Sequence, residues 1–365
     1  RRRCRPQDGR PVVPALADAL LACSRDVARA WTEATTAVLG IAVPAPALAP
    51  TPRDELALTG GARLYHFRGA EPARARLPLL LVPSLINRWY VLDLRPGASL
   101  VEALVGAGFD VWCLDWGVPA DEDRYLDWEA VLARLARATR RVRRETGAAR
   151  LALLGYCMGG TLAAIHAAQH PGELAAFVTL AAPIDFAHGG QLRVMVDPRW
   201  FDGDAIAGAG NIAPSQMQAG FTALRPTLEL GKLASLPELA GDPRARDAFA
   251  ALEAWASDNI PFPAAAYRRY IVELYQRNEL VAGTHRVAGR AVQLAEIRCP
   301  TLAITASRDA ICPARAATAL LDHVGATERH AIEVAGGHVG ACVGSRAVRE
   351  MYPALARWLA PHVGG

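Results

Sequence analysis

From Asp54 onward, short apolar runs alternate with longer stretches in which apolar residues recur every three or four positions. Arg63–Phe67 alternates polar and apolar residues like an edge strand, whereas Leu79–Val82 and Phe109–Leu114 are continuous apolar runs, as in parallel strands buried on both faces. Ser99–Ala107 predicts a helix between them. Asp127–Glu145 places Val131, Leu132, Leu135 and Val142 on one helical face and arginines on the other, closing at Gly147. A strand at Leu151–Leu154, a sharp turn through Gly155–Gly160, a helix from Thr161 to Gln169 and a strand at Phe177–Leu180 follow. After Pro183 this order breaks down, leaving a Gly-rich stretch at Gly203–Gly210 and helical pieces at Arg244–Trp255 and Ala265–Arg277. It resumes with strands at Thr301–Thr305 and Ala331–Val334 and helices at Ala314–Leu321 and Ala347–Leu359. The layout predicts an α/β protein: a mostly parallel sheet flanked by helices, with an insertion of about residues 185–283 after the sixth strand.

Composition narrows this picture. With 365 residues and 52% hydrophobic content, the chain can bury one large domain plus an insertion. The net charge is only +4, and nearly all the basic residues are arginine, Lys232 being the single lysine. No basic stripe interleaved with aromatics points to nucleic acid. Arg140, Arg141, Arg143 and Arg144 fall near the end of a predicted helix, where cations complement the helix dipole, and that reading is preferred to phosphate binding. Seven scattered cysteines without a C-x-x-C pair argue against a disulfide framework or zinc site and point to a reducing cytoplasm. Residues 1–50 read as a helical segment and linker: Leu16, Leu20, Cys23 and Val27 share a helical face, while Pro14 and Asp18 interrupt any signal-peptide core. The remaining apolar runs are too short to span a bilayer as a helix.

The chemistry begins at Gly155-Tyr156-Cys157-Met158-Gly159. Strand, Gly-x-Cys-x-Gly, helix is the nucleophile elbow of the α/β-hydrolase fold with cysteine in place of serine, at a helix start that favours a thiolate. That fold calls for an acid and then a histidine in loops after late strands, and Asp309 and His338 stand there. Asp115 and Asp185 are rival acids; His66, His166 and His170 read as packing or surface residues. The oxyanion hole calls for the Met158 N–H and a second N–H after the Leu79–Val82 strand, from Ser84 or Leu85, because Pro83 cannot donate.

Together these residues resemble the polyhydroxyalkanoate synthases, specifically the catalytic subunit of the short two-subunit class, over about residues 50–360. The likeness rests on Thr51-Pro52-Arg53-Asp54, the run from Val82 to Pro96, Asp115-Trp116-Gly117, Gly155 to Gly160, Tyr275-Gln276-Arg277-Asn278 and Gly336 to Gly340. It implies polymerisation of 3-hydroxyacyl-coenzyme A with coenzyme A release through Cys157, His338 and Asp309, without a cofactor. It also implies Asn278 near the substrate, a homodimer, a second synthase subunit, and a place in the cytoplasm at the surface of polyester granules. Two departures stand out: Ala310 follows Asp309 where the family usually has His, and Ser84 stands where a second Pro is common. The same residues leave two alternatives, a thiol hydrolase of the same fold (a depolymerase or thioesterase) and a non-catalytic granule protein. In the synthase reading the inserted segment is a lid, with Trp200, Phe201, Phe221, Trp255, Phe262 and Tyr270 as its apolar bulk.

Overall fold

The computed structural model describes residues 46–69, 77–224 and 242–364. The helix expected in residues 1–50 and Lys232 lie outside them. Eight strands form one sheet: β1 (Arg53–Ala57), β2 (Arg63–Phe67), β3 (Leu79–Val82), β4 (Val111–Asp115), β5 (Leu151–Tyr156), β6 (Leu174–Leu180), β7 (Thr301–Ala306) and β8 (Arg329–Val334). Their order is β1-β2-β4-β3-β5-β6-β7-β8. The β1–β2 and β2–β4 pairs are antiparallel and the rest are parallel. Arg63–Phe67 is therefore not the edge. That place belongs to β1, whose residues are almost all exposed and carry no alternation for the sequence to reveal.

The central strands are continuously apolar because both faces of the sheet are covered. In β3, Leu80 and Val82 face a core shared with α2 (Trp128–Thr146) and α3 (Met158–Gln169). Leu79 and Leu81 face the opposite core, shared with α1 (Leu100–Gly106) and the C-terminal helix Tyr352–Val363. Asp127 caps α2 by accepting from the Ala130 N–H, and Gly147 ends it in the left-handed conformation that the sequence suggested. The conspicuous Thr51 and Asp93 join in a buried clamp: Asp93 accepts from the Thr51 N–H and hydroxyl and from the Ser99 hydroxyl, which also caps α1.

Between β6 and β7 the chain makes the expected excursion. Described helices there include α4 (Pro214–Leu224), α5 (Pro243–Ser257) and α6 (Ala264–Arg269), the last continuing as a π-helix over Tyr270–Gln276. Of the aromatics expected to supply apolar bulk, Trp255, Phe262 and Tyr270 are buried, whereas Trp200 is 58% exposed. No helix among the described residues is long and apolar enough to cross a membrane.

Candidate active site

Strand β5 delivers Cys157 and α3 begins at the next residue, so the nucleophile candidate is the N-cap of that helix. Its φ of 55° and ψ of −132° form a strained turn for a residue with a side chain. The turn closes only because three neighbours lack a Cβ. A Cβ on Gly159 would overlap the carbonyl oxygens of Val82 and Pro83, one on Gly155 would strike Gly160, and one on Gly160 would strike Ala182. The Cys157 N–H donates to the Leu180 carbonyl at 2.9 Å, which pins the turn to the end of β6.

His338 and Asp309 arrive from the loops after β8 and β7. His338 Nδ1 donates to Asp309 Oδ2 at 2.7 Å, and Asp309 Oδ1 accepts the N–H groups of Ile311 and Cys312, each at 2.8 Å. The carboxylate is thus held by three donors and the ring is oriented with Nε2 left over, and His338 lies close enough to Cys157 for the two to interact. Burial opposes a charge on His338, but the Cys157 sulfur and the Asp309 carboxylate outweigh it and push the imidazole from 6.5 up to about 10. The shift favours the protonated ring across the neutral range. The rival acids are committed elsewhere. Asp115 accepts from the Tyr65 hydroxyl and the Gly117 N–H; Asp185 binds His188, Asn278 and the Ala187 N–H.

The same packing brings the start of α3 against the loop after β3. Met158 is the first residue of α3, so its N–H has no intrahelical acceptor. The absence of a Cβ on Gly159 lets the Val82–Pro83 carbonyls lie against that helix start, and the Trp116 indole N–H fixes the Pro83 carbonyl at 2.9 Å. Ser84 and Leu85, both buried, follow in this loop. Asn278 sits in a left-handed conformation with its amide occupied: its Nδ2 donates to Asp185 at 2.8 Å and its Oδ1 accepts the Phe186 N–H at 2.8 Å. It is linked toward the site through Phe186, which stacks edge-on against Tyr270 and Tyr275. Burial pushes both tyrosines up, and both lie close enough to Cys157 for its charge to add to the effect.

Sequence reasoning missed three neighbours. Tyr156 lies 5.5 Å from the His338 ring and tilted against it; Tyr275 was seen only as part of a motif; buried Cys312 donates its N–H to Asp309. Position alone could have flagged Tyr156 and Cys312, which sit one residue before Cys157 and three after Asp309. His66 pairs with Asp110 and stacks on Trp112, and His166 is buried, as packing residues should be. The five described cysteines are free. Among the described residues one donor group, Glu273, Glu279 and His285, converges closely enough to hold a cation. Arg269 and Arg277 already pair with its two carboxylates, so the group carries its own countercharges.

Residues 78–342 match the α/β hydrolase fold family. The chain is 31% identical over 314 residues to the poly(3-hydroxyalkanoate) polymerase subunit PhaC of Haloferax mediterranei, covering 85% of this chain and 64% of that protein. It is 30% identical over 319 residues to the subunit of the same name from Synechocystis sp., covering 85% and 84%. Among solved structures, a malate-bound thermophilic esterase from Thermogutta terrifontis superposes with a TM-score of 0.51 at 17% identity, covering 86% of this chain and 99% of that one. A hydrolase from Pseudomonas aeruginosa gives 0.50 at 18%, covering 86% and 98%. Those two likenesses speak for the fold alone. The sequence relatives go further: this chain belongs to the poly(3-hydroxyalkanoate) polymerase PhaC family, built on the α/β-hydrolase fold.

Proposed function

We propose that the chain is the catalytic subunit of a poly(3-hydroxyalkanoate) polymerase that uses Cys157, His338 and Asp309. The observation that carries this reading is the 2.7 Å bond between His338 and Asp309, with Cys157 close enough to His338 to act on its proton. The Cys157 thiolate attacks the thioester carbonyl of 3-hydroxyacyl-coenzyme A, with the Met158 N–H and that of Ser84 or Leu85 holding the oxyanion. Collapse breaks the carbon–sulfur bond to coenzyme A, and the His338 proton passes to the departing thiolate. Because one thioester replaces another, the acyl group keeps its activation on Cys157, which a serine ester would lose. The hydroxyl of a second acyl group then attacks, His338 takes its proton, the ester bond forms and Cys157 leaves as thiolate.

Transfer to a hydroxyl must outrun hydrolysis, so water has to be kept out. The segment from Asp185 to Gly283 is the lid in this reading, with Phe186, Tyr270 and Tyr275 forming an apolar wall beside Cys157. Asn278 shapes that wall through Phe186. A homodimer, a second synthase subunit and a position on polyester granules in the cytoplasm complete the proposal, as the family likeness suggests.

The test is incubation with 3-hydroxybutyryl-coenzyme A, with and without the second subunit, following free thiol and polymer turbidity together. Both should rise, and Cys157→Ala should abolish both. Thiol release yielding only free hydroxy acid would make the chain a hydrolase; no release under either condition would make it non-catalytic.

A further inference from the structure

The arginines of α2 do not behave as one cluster. Arg143 turns to Glu173 at 3.0 Å. Arg137, Arg140, Arg141 and Arg144 instead line a groove of about 450 Å³ together with Ala57, Leu58 and Thr59. Spacings of three, four and seven residues put those four guanidinium groups on one helical face. The helix dipole fades within the last turn, so it accounts for Arg144 but not for Arg137 or Arg140, which lie further up a helix that ends at Thr146. Arg141 pairs with Glu145 at 2.6 Å, whereas among the described residues Arg137, Arg140 and Arg144 have no acidic partner. The Nε of Arg137 is buried without a hydrogen-bond partner, and buried Arg134 lies close enough for Arg137 to depress its pKa, after burial itself. Like charges at these spacings destabilise a helix, and Glu145 offsets only Arg141.

We propose that this groove binds a ligand carrying several phosphate groups. Guanidinium forks match phosphate oxygens in pairs, and Arg137, Arg140 and Arg144 line this groove without an acidic partner among the described residues. The groove lies beside β1, four strand spacings or roughly 19 Å from β5, so it is not the Cys157 site. Two sources share this chemistry: a free oligophosphate, and the phosphoadenosine end of coenzyme A, whose pantetheine arm spans distances of this order. Only the second depends on the polymerase reading.

The test is calorimetric titration of the full chain with tripolyphosphate and, separately, with coenzyme A at about 0.15 M salt, where long-range attraction is screened. Arg140→Ala with Arg144→Ala should weaken tripolyphosphate binding by about tenfold or more. Arg349→Ala with Arg357→Ala, two exposed arginines removed elsewhere, should leave it unchanged. Parallel loss of coenzyme A binding assigns the groove to the substrate's phosphates; unchanged coenzyme A binding assigns it to a free oligophosphate. No tripolyphosphate binding, equal weakening in both double variants, or tighter binding of a poly-glutamate peptide than of tripolyphosphate overturns the proposal.

Discussion

Gly159→Ala tests how the site is assembled. The added Cβ would overlap the carbonyl oxygens of Val82 and Pro83, and both are poor at yielding: Val82 ends a central strand, and the Pro83 carbonyl is held by Trp116 at 2.9 Å. Either α3 or the loop carrying Ser84 and Leu85 must move. Overpacking of this kind costs about 1–3 kcal/mol of stability, which a chain of this size tolerates. Displacing one oxyanion donor costs about 2.7–4 kcal/mol of barrier, or roughly 10²–10³ in rate. The expected variant is folded by circular dichroism, modestly destabilised in urea, and slowed by that factor in single-turnover acylation by 3-hydroxybutyryl-coenzyme A. Gly106→Ala is the control: nothing lies within 4 Å of its new Cβ, and at a helical position it should add about 0.5–1 kcal/mol with acylation unchanged. Wild-type acylation by a folded Gly159→Ala protein would refute the idea that this contact sets the oxyanion loop.

Three further outcomes are expected. His338 binds its proton more tightly folded than unfolded, so its stabilisation is complete below about pH 6.5 and is lost as the pH rises through about 10. Urea midpoints at pH 6.5 and pH 10 should therefore differ more for wild type than for His338→Gln. Asn278→Gly keeps the left-handed backbone but leaves the Phe186 N–H and Asp185 short of partners, costing about 1–3 kcal/mol; Asn278→Ala should cost about 1–2 kcal/mol more, both read from urea unfolding. Leu80→Ala in fully buried β3 should cost about 2–5 kcal/mol by the same measurement while leaving the residual folded protein able to acylate Cys157.

The parts legible in sequence were those where one local rule decides the outcome. Continuous apolar runs marked β3 to β6, because burial on both faces demands them, and Gly155 and Gly159 marked the elbow, because only glycine fits that close approach. β1 was illegible for the converse reason: an exposed edge strand needs no pattern, and its pairing with β2 comes from the turn and the neighbouring strand. The positions of Asp309 and His338 after β7 and β8 could be read from fold order. Their 2.7 Å contact, and the diversion of Asp185 to Asn278 and His188, are products of tertiary packing alone. Arg143 and Arg140 look alike in sequence, yet one faces Glu173 and the other an open groove, a distinction set by helix phase and by what happens to pack nearby.

The amide of Asn278, bridging Asp185 and Phe186, ties together two points of the chain 93 positions apart, near the two ends of the inserted segment. A segment fastened at its stem behaves as an exchangeable cassette. Doubling the length between the fastened ends adds only about 0.6 kcal/mol of closure entropy, so the intervening helices can be lengthened, shortened or replaced with little strain on the strands below. On the proposed function, selection can then reshape the lid, and with it the acceptor it admits, while the elbow and its histidine and aspartate stay as they are.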